Sequence, residues 1–226
     1  MPVPVRFLSP NDLHDIVRGM AVIARLYDPQ DPDIRFHLDQ ETSAALGIWK
    51  DFDGNECHFL FSPEGSLIMG FDHASPMSPH VTMAETGDFQ PWAGIYDALP
   101  PALKTRLEND PPYDDAFDYK EVTFCLWNVG NTREWQKGDV QYPPRDNNDP
   151  DGQAYVLGRI KEFYEDFCGA FEEHYNWDLD PDHVADLLSG DRVSLTCIKG
   201  LKPDTNVLEA RKWMSTMGFV IDAPTK

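Results

Sequence analysis

The chain has 226 residues, 41% of them hydrophobic and 12% aromatic, and its formal net charge is -20. This content of core-forming side chains argues against intrinsic disorder. The acidic excess argues against nucleic acid or an anionic membrane as a partner, because both require clustered Lys and Arg.

The cysteines and the N-terminal residues indicate a reducing compartment. Cys57, Cys125, Cys168 and Cys197 are far apart and form no C-x-x-C pair, so a zinc ribbon or a thioredoxin-like motif is not expected. Free buried thiols are the simpler interpretation. The opening residues lack the apolar stretch of a signal peptide, and no apolar run approaches the roughly 18 residues of a membrane span. We therefore expect a cytoplasmic protein.

The first predicted element is a helix in SPNDLHDIVRGMAVIARLY. Ser9 can cap it, Pro10 suits its first turn, and apolar side chains recur at helical spacing from Leu13 to Tyr27. Strands follow between residues 33 and 72, where DIRFHLDQ, ALGIWKDF, ECHFLFS and SLIMGFD alternate or are apolar. The Asp53-Gly54 pair is a hairpin signal, so these segments predict an antiparallel meander.

The middle of the chain is predicted to be less regular. Residues 73–92 are a Pro-rich loop, and a short helix, a proline break and a second helix from about Pro101 follow it. The polar stretch near 110–118 is a candidate junction between subdomains. YKEVTFCLWNV predicts a buried strand, and the long loop after it predicts one short strand near Val140.

Helices are predicted for most of the last third. Apolar spacing predicts one long helix from Gln153 to about Tyr175 and a shorter one from near Pro181. RVSLTCIKGL reads as a strand, and a last helix capped by Asp204 or Thr205 ends at Gly218. The predicted fold is a single α+β domain over residues 1–226, with an antiparallel sheet of about five or six strands packed by the N-terminal and long central helices. Two subdomains are the alternative.

The segment GFDHASPMSP carries the residue types of a nucleophilic triad, in Asp72, His73 and two serines. Triad members usually come from separate elements, however, and serines that precede proline are typical of turns. A turn is therefore the favoured interpretation. The alternative is a hydrolase that uses Asp72 and His73 beside a pocket formed by His80, Trp92 or Trp127.

No cofactor or metal site is predicted. Both glycine-rich nucleotide motifs are missing, and three stretches that begin like calcium loops each lack a required residue. The aromatic loop around Trp127 and Trp135 could contact a small ligand, which makes ligand sensing a third hypothesis. Core packing is the simpler explanation for these tryptophans.

Charge is distributed unevenly along the chain. From Asp139 to Asp191 there are fourteen acidic residues and three basic ones. A localised acidic face accelerates association with a basic partner and makes binding sensitive to salt. A solvated helix face is the simpler alternative. The candidate partner-binding residues on the predicted long helix are Glu162, Glu165, Asp166, Glu172 and Glu173.

In GFDHASPMSP, GIYDALP, VTFCLWN and WQKGDVQYP the chain resembles a group of uncharacterised bacterial cytosolic proteins. In general style, over about residues 45–190, it also resembles the immunity proteins that neutralise secreted toxins. That resemblance implies a small acidic α+β protein that blocks a basic active site, and it implies no catalytic residue. The leading hypothesis is therefore a non-enzymatic, inhibitor-like protein that binds a basic protein partner.

Overall fold

The strands of the chain form one large sheet and one small one. The computed structural model describes residues 2–30, 32–87, 90–109, 119–144 and 148–222. Its strands are β1 (Val3–Arg6), β2 (Ile34–Asp39), β3 (Ala44–Lys50), β4 (Glu56–Ser62), β5 (Gly65–Phe71), β6 (Phe124–Asn128), β7 (Glu134–Lys137), β8 (Arg192–Val193) and β9 (Val220–Ile221). The first seven form an antiparallel sheet in the order β1-β7-β6-β5-β4-β3-β2, and β8 pairs with β9 in parallel.

Helices precede, interrupt and follow the sheet. They are α1 (Pro10–Tyr27), α2 (Pro79–Thr86), α3 (Pro101–Asn109), α4 (Gln153–Glu165), α5 (Phe167–Tyr175), α6 (Pro181–Leu188), α7 (Leu195–Leu201) and α8 (Val207–Thr216). The predicted α+β class and the antiparallel meander are confirmed. Within the part of the chain that is described, no helix combines the length and the apolar character needed to cross a bilayer.

Two apolar clusters cover the two faces of the large sheet. Successive side chains of a strand point to opposite faces, so neighbouring residues on β4 belong to different clusters. Phe59 belongs to the larger cluster and Leu60 to the smaller one. The larger cluster joins the strands to α1 and to α4 through α8. The smaller cluster joins them to α3 and to the chain around Met77.

Helix α1 forms as its sequence predicts. The Ser9 side chain accepts a hydrogen bond from the backbone N–H of Asp12 (3.2 Å), and Pro10 occupies the first turn. The helix lies close to the sheet at Gly47, where an added Cβ would be 2.5 Å from Val17 Cγ1. A glycine on β3 is therefore needed for this packing.

The predicted long helix is two helices, α4 and α5, which meet at Asp166. The backbone of Asp166 leaves the helical region (φ -147°, ψ 83°), and its side chain accepts a hydrogen bond from the N–H of Gly169 (3.0 Å). Apolar spacing continues across the break through Phe163, Phe167 and Phe171, all of which are buried. Periodicity alone therefore could not locate the interruption.

Other segments also differ from the prediction. The sheet gains β1, an exposed edge strand whose residues show no alternation of burial. The strand expected near Val140 lies earlier, at β7. The segment RVSLTCIKGL forms only the two residues of β8 and then α7, which Ser194 caps, and Asn206 rather than its neighbours caps α8. The predicted junction near 110–118 lies outside the described residues.

Candidate functional site

The Asp72–His73 loop is held by hydrogen bonds to the backbone. The Asp72 side chain accepts one from the N–H of Ala74 (2.8 Å), and the N–H of His73 donates to Asn55 Oδ1 (3.1 Å). Ser75 Oγ donates to the carbonyl of Pro150 (2.7 Å). Asp72 and His73 are both described, and no hydrogen bond joins their side chains. These contacts are typical of a structural turn.

The loop also fixes the start of α4. Thr123 Oγ1 accepts from the N–H of Asp72 (3.1 Å) and lies 2.6 Å from the carbonyl oxygen of Asp151, to which it donates. At Gly152 a Cβ would lie 2.2 Å from the Cβ of Asp72, so only glycine fits there. Asp72 therefore packs against the segment that leads into α4.

A cavity of about 320 Å³ lies next to this loop, at one end of strands β3, β4 and β5. Glu56 and His58 are two residues apart on β4, so both side chains point to the same face. Lys50 is the cross-strand neighbour of Glu56 on β3. The remaining lining residues are Gly54, Met69, Phe71 and Glu121.

Polar contacts order the side chains of this cavity, which we call the His58 cavity. His58 Nε2 is hydrogen-bonded to Glu56 Oε1, and Lys50 Nζ is 3.1 Å from Glu56 Oε2. The His58 side chain is 1% exposed. Burial acts to raise the pKa of Glu56, but the hydrogen bond from His58 and the charges of His58 and Lys50 outweigh it, so the pKa lies below its usual value.

A second imidazole and carboxylate lie beside the first. His80 Nε2 is 2.8 Å from Glu121 Oε1, and the His80 ring makes an edge contact with Phe71 (5.8 Å between centroids). His80, which the sequence singles out, does not line this cavity but contacts two residues that do, Glu121 and Phe71. An imidazole oriented by a carboxylate can accept or donate a proton, which is the arrangement of a general base or acid.

Sequence patterns did not single out Lys50, Glu56, His58 and Glu121 as site residues. A signal was present in ECHFLFS, where an acid and a histidine at alternate positions interrupt a run of apolar residues. Such a pair on a buried strand must find polar partners. Glu121 comes from a distant part of the chain, so only the folded structure places it here.

The candidate tryptophans do not form a common surface. Trp127 and Trp135 are 3% and 0% exposed and belong to clusters on opposite faces of the sheet. Trp135 Nε1 donates to the carbonyl of Leu8 (2.7 Å). Trp92 is half-buried, and its Nε1 donates to the carbonyl of Gln141 (2.8 Å).

The candidate acids on α4 and α5 fall into two groups. Glu162 contacts His174 (2.8 Å) and Arg159 (3.4 Å), Glu165 pairs with Lys161 (3.0 Å), and Asp166 caps α5. The other two, Glu172 and Glu173, are exposed. Among the residues that the structure describes, no Lys or Arg forms an ion pair with either of them.

Further acids lie beside α5. Burial and then the charges of Asp166, Asp180 and Asp178 raise the pKa of the Cys168 thiol, so these three carboxylates lie near it. Glu172 is four residues after Cys168 and hence on the same side of α5. We call Asp166, Glu172, Glu173, Asp178 and Asp180 the α5 acidic surface. Asp166 and Asp180 also cap helices, since Asp180 accepts from the N–H of Asp182 (2.9 Å).

In the described ranges, no three His, Cys, Asp or Glu side chains are placed to hold a metal ion.

Comparisons with known proteins give no information on the function of this chain. A scan against protein-family models, a search of curated proteins and a search of solved structures each found no match.

Proposed function

We propose that this chain is a non-enzymatic, inhibitor-like protein that binds a basic protein partner through the α5 acidic surface. The observation that carries the proposal is the presence of five exposed carboxylates on α5 and in the segments next to its two ends. No Lys or Arg in the described part of the chain forms an ion pair with any of the five.

Electrostatics gives this surface a preference for cations. Like charges at one surface repel one another, and a cationic partner relieves that repulsion. Oppositely charged surfaces also raise the association rate, and salt screens them beyond a Debye length of about 8–10 Å. Binding at this surface is therefore expected to weaken as ionic strength rises.

Immobilised protein exposed to cell lysate and secreted proteins at low salt tests the proposal. A basic protein is expected to bind and to elute at one step of a salt ramp, where mass spectrometry identifies it. The double variant Glu172→Lys/Glu173→Lys is expected to lose this protein. Neither residue is buried or a helix cap, so the fold is retained.

The matched control is Glu41→Lys/Asp97→Lys, which makes the same change in net charge at exposed turns away from α5. It is expected to retain the basic protein. The proposal is wrong if both double variants retain it equally, or if its elution does not depend on salt.

A second candidate function, an acid–base enzyme of hydrolase type, is favoured by the buried contact between His58 and Glu56. General acid–base groups contribute roughly 10²–10⁴-fold to a rate. Glu56→Gln keeps the shape of the side chain but removes the charge that orients His58. It is expected to lower turnover of any substrate found in an ester, phosphoester and amide panel by about 100-fold or more.

His73→Ala is the matched control, because His73 is exposed and does not line the His58 cavity. It should retain wild-type turnover. Loss of activity in His73→Ala but not in Glu56→Gln would assign catalysis to the Asp72–His73 loop instead. A wild-type protein that turns over nothing in the panel would argue against the enzyme hypothesis altogether.

A further inference from the structure

A second cavity, of about 380 Å³, lies where α8 meets the edge strand β2. Its volume falls within the range of roughly 300–1,000 Å³ that is usual for small-molecule sites. Part of its lining is apolar and comes from the sheet and from the end of α8, including Ile48 and Met217, both buried. We call it the α8 cavity.

The charged side chains of the α8 cavity have the opposite sign to the chain as a whole. Arg25 from the last turn of α1, Arg35 from β2 and Lys212 from α8 all line it. Among the described residues, Glu209 is the one acidic side chain in the lining. In a chain with 39 acidic and 19 basic residues, this local excess of cations is unexpected.

Arg25 and Lys212 are available to a ligand. Within the described residues, no carboxylate pairs with either side chain. The Arg25 guanidinium lies 5.9 Å from the centroid of the Trp213 ring, which also lines the cavity. A cation next to an indole, beside an apolar floor, provides contacts for both a charged group and a flat ring.

We propose that the α8 cavity binds a small organic anion with a flat apolar body, such as an aromatic carboxylate. Arg25 and Lys212 would hold the carboxylate, and the ring would lie against Trp213 and the apolar lining. The acids of the rest of the molecule oppose this binding weakly, because charges beyond about 8–10 Å are screened at physiological salt. The proposal does not rest on the α5 acidic surface.

Calorimetric titration with 2-naphthoate and with 2-naphthalenemethanol tests the proposal. The two probes have the same ring system, and only the first is charged. We expect saturable binding of 2-naphthoate and at least tenfold weaker binding of the alcohol. Arg25→Gln/Lys212→Gln is expected to weaken the binding of 2-naphthoate at least tenfold. Binding of 2-naphthoate next to Trp213 is also expected to change the tryptophan fluorescence of the protein, and Trp213→Phe is expected to remove that change.

The matched control is Lys104→Gln/Lys161→Gln, which removes two exposed positive charges on other helices. It should bind 2-naphthoate as the wild type does. Because Lys212 is exposed, Lys212→Glu alone serves if the double variant fails to fold. Equal affinity for the two probes, no binding of 2-naphthoate, or unchanged affinity in the folded Arg25 and Lys212 variants would overturn the proposal.

Discussion

Asp151 is a buried carboxylate with a tyrosine and a lysine beside it. Its side chain is 6% exposed, and Tyr142 Oη donates to its Oδ2 (2.8 Å). Lys137 Nζ donates to Tyr142 Oη (2.6 Å) and lies 3.9 Å from the carboxylate. Burial raises the pKa of Asp151, and the hydrogen bond from Tyr142 and the charge of Lys137 offset this only in part.

The raised pKa of Asp151 determines whether the free energy of unfolding rises or falls with pH. The folded state holds the Asp151 proton more tightly than the unfolded state, whose pKa is 3.8. Stability contributed by the proton is therefore lost as the pH rises through the folded pKa. We expect Asp151→Asn, relative to wild type, to gain free energy of unfolding as the pH rises above about 4, measured by urea titrations.

For Glu56→Gln, we expect the change of stability with pH to have the opposite sign. The folded pKa of Glu56 is lowered, so its stabilisation is present above the unfolded pKa and is lost as the pH falls. The Gln variant should accordingly lose stability relative to wild type over the same rise in pH. A difference between Asp151→Asn and wild type that stays constant with pH would contradict the assignment.

Among the helices, the junction of α4 and α5 depends on one side chain. Asp166→Ala removes the hydrogen bond to the N–H of Gly169 and is expected to destabilise the protein by about 1 kcal/mol, the usual cost of losing an N-cap. Chemical denaturation measures the change. Glu172→Ala, on the exposed side of the same helix, should cost less than about 0.5 kcal/mol. Equal stabilities for the two variants would show that the cap is unimportant.

The helices and strands differ, for physical reasons, in how clearly their sequences predict them. Strands β2 to β6 and helix α1 carry long apolar patterns with turn and cap signals, and they were predicted. Strand β1 contains Pro4 and is exposed, so neither propensity nor burial marks it. The segment after Arg192 is apolar but short, and such segments do not distinguish strand from helix.

At the scale of the whole molecule, the candidate sites also differ in how far the sequence predicts them. Regional acidity can be counted from the sequence, and three of the five acids of the α5 acidic surface, Asp166, Glu172 and Glu173, are among the candidates it offers. Binding of a basic partner remains a prediction. The two cavities were not predicted. Arg25, Arg35 and Lys212 lie on three separate elements, and Glu121, which precedes β6, lines the same cavity as His58 only in the folded chain. No local sequence pattern predicts that residues from separate elements will line the same cavity.

The pairing of β1 with β7 has a consequence for synthesis. Val3 lies opposite Lys137, so this residue of β1 has no partner until the more than 130 residues that separate the two have been synthesised. At roughly 5–20 residues per second, that wait is on the order of ten seconds. Hairpins β2–β3 and β4–β5 close within a few residues meanwhile. Strand β1 is thus made before β2 to β7 and is among the last of them to pair.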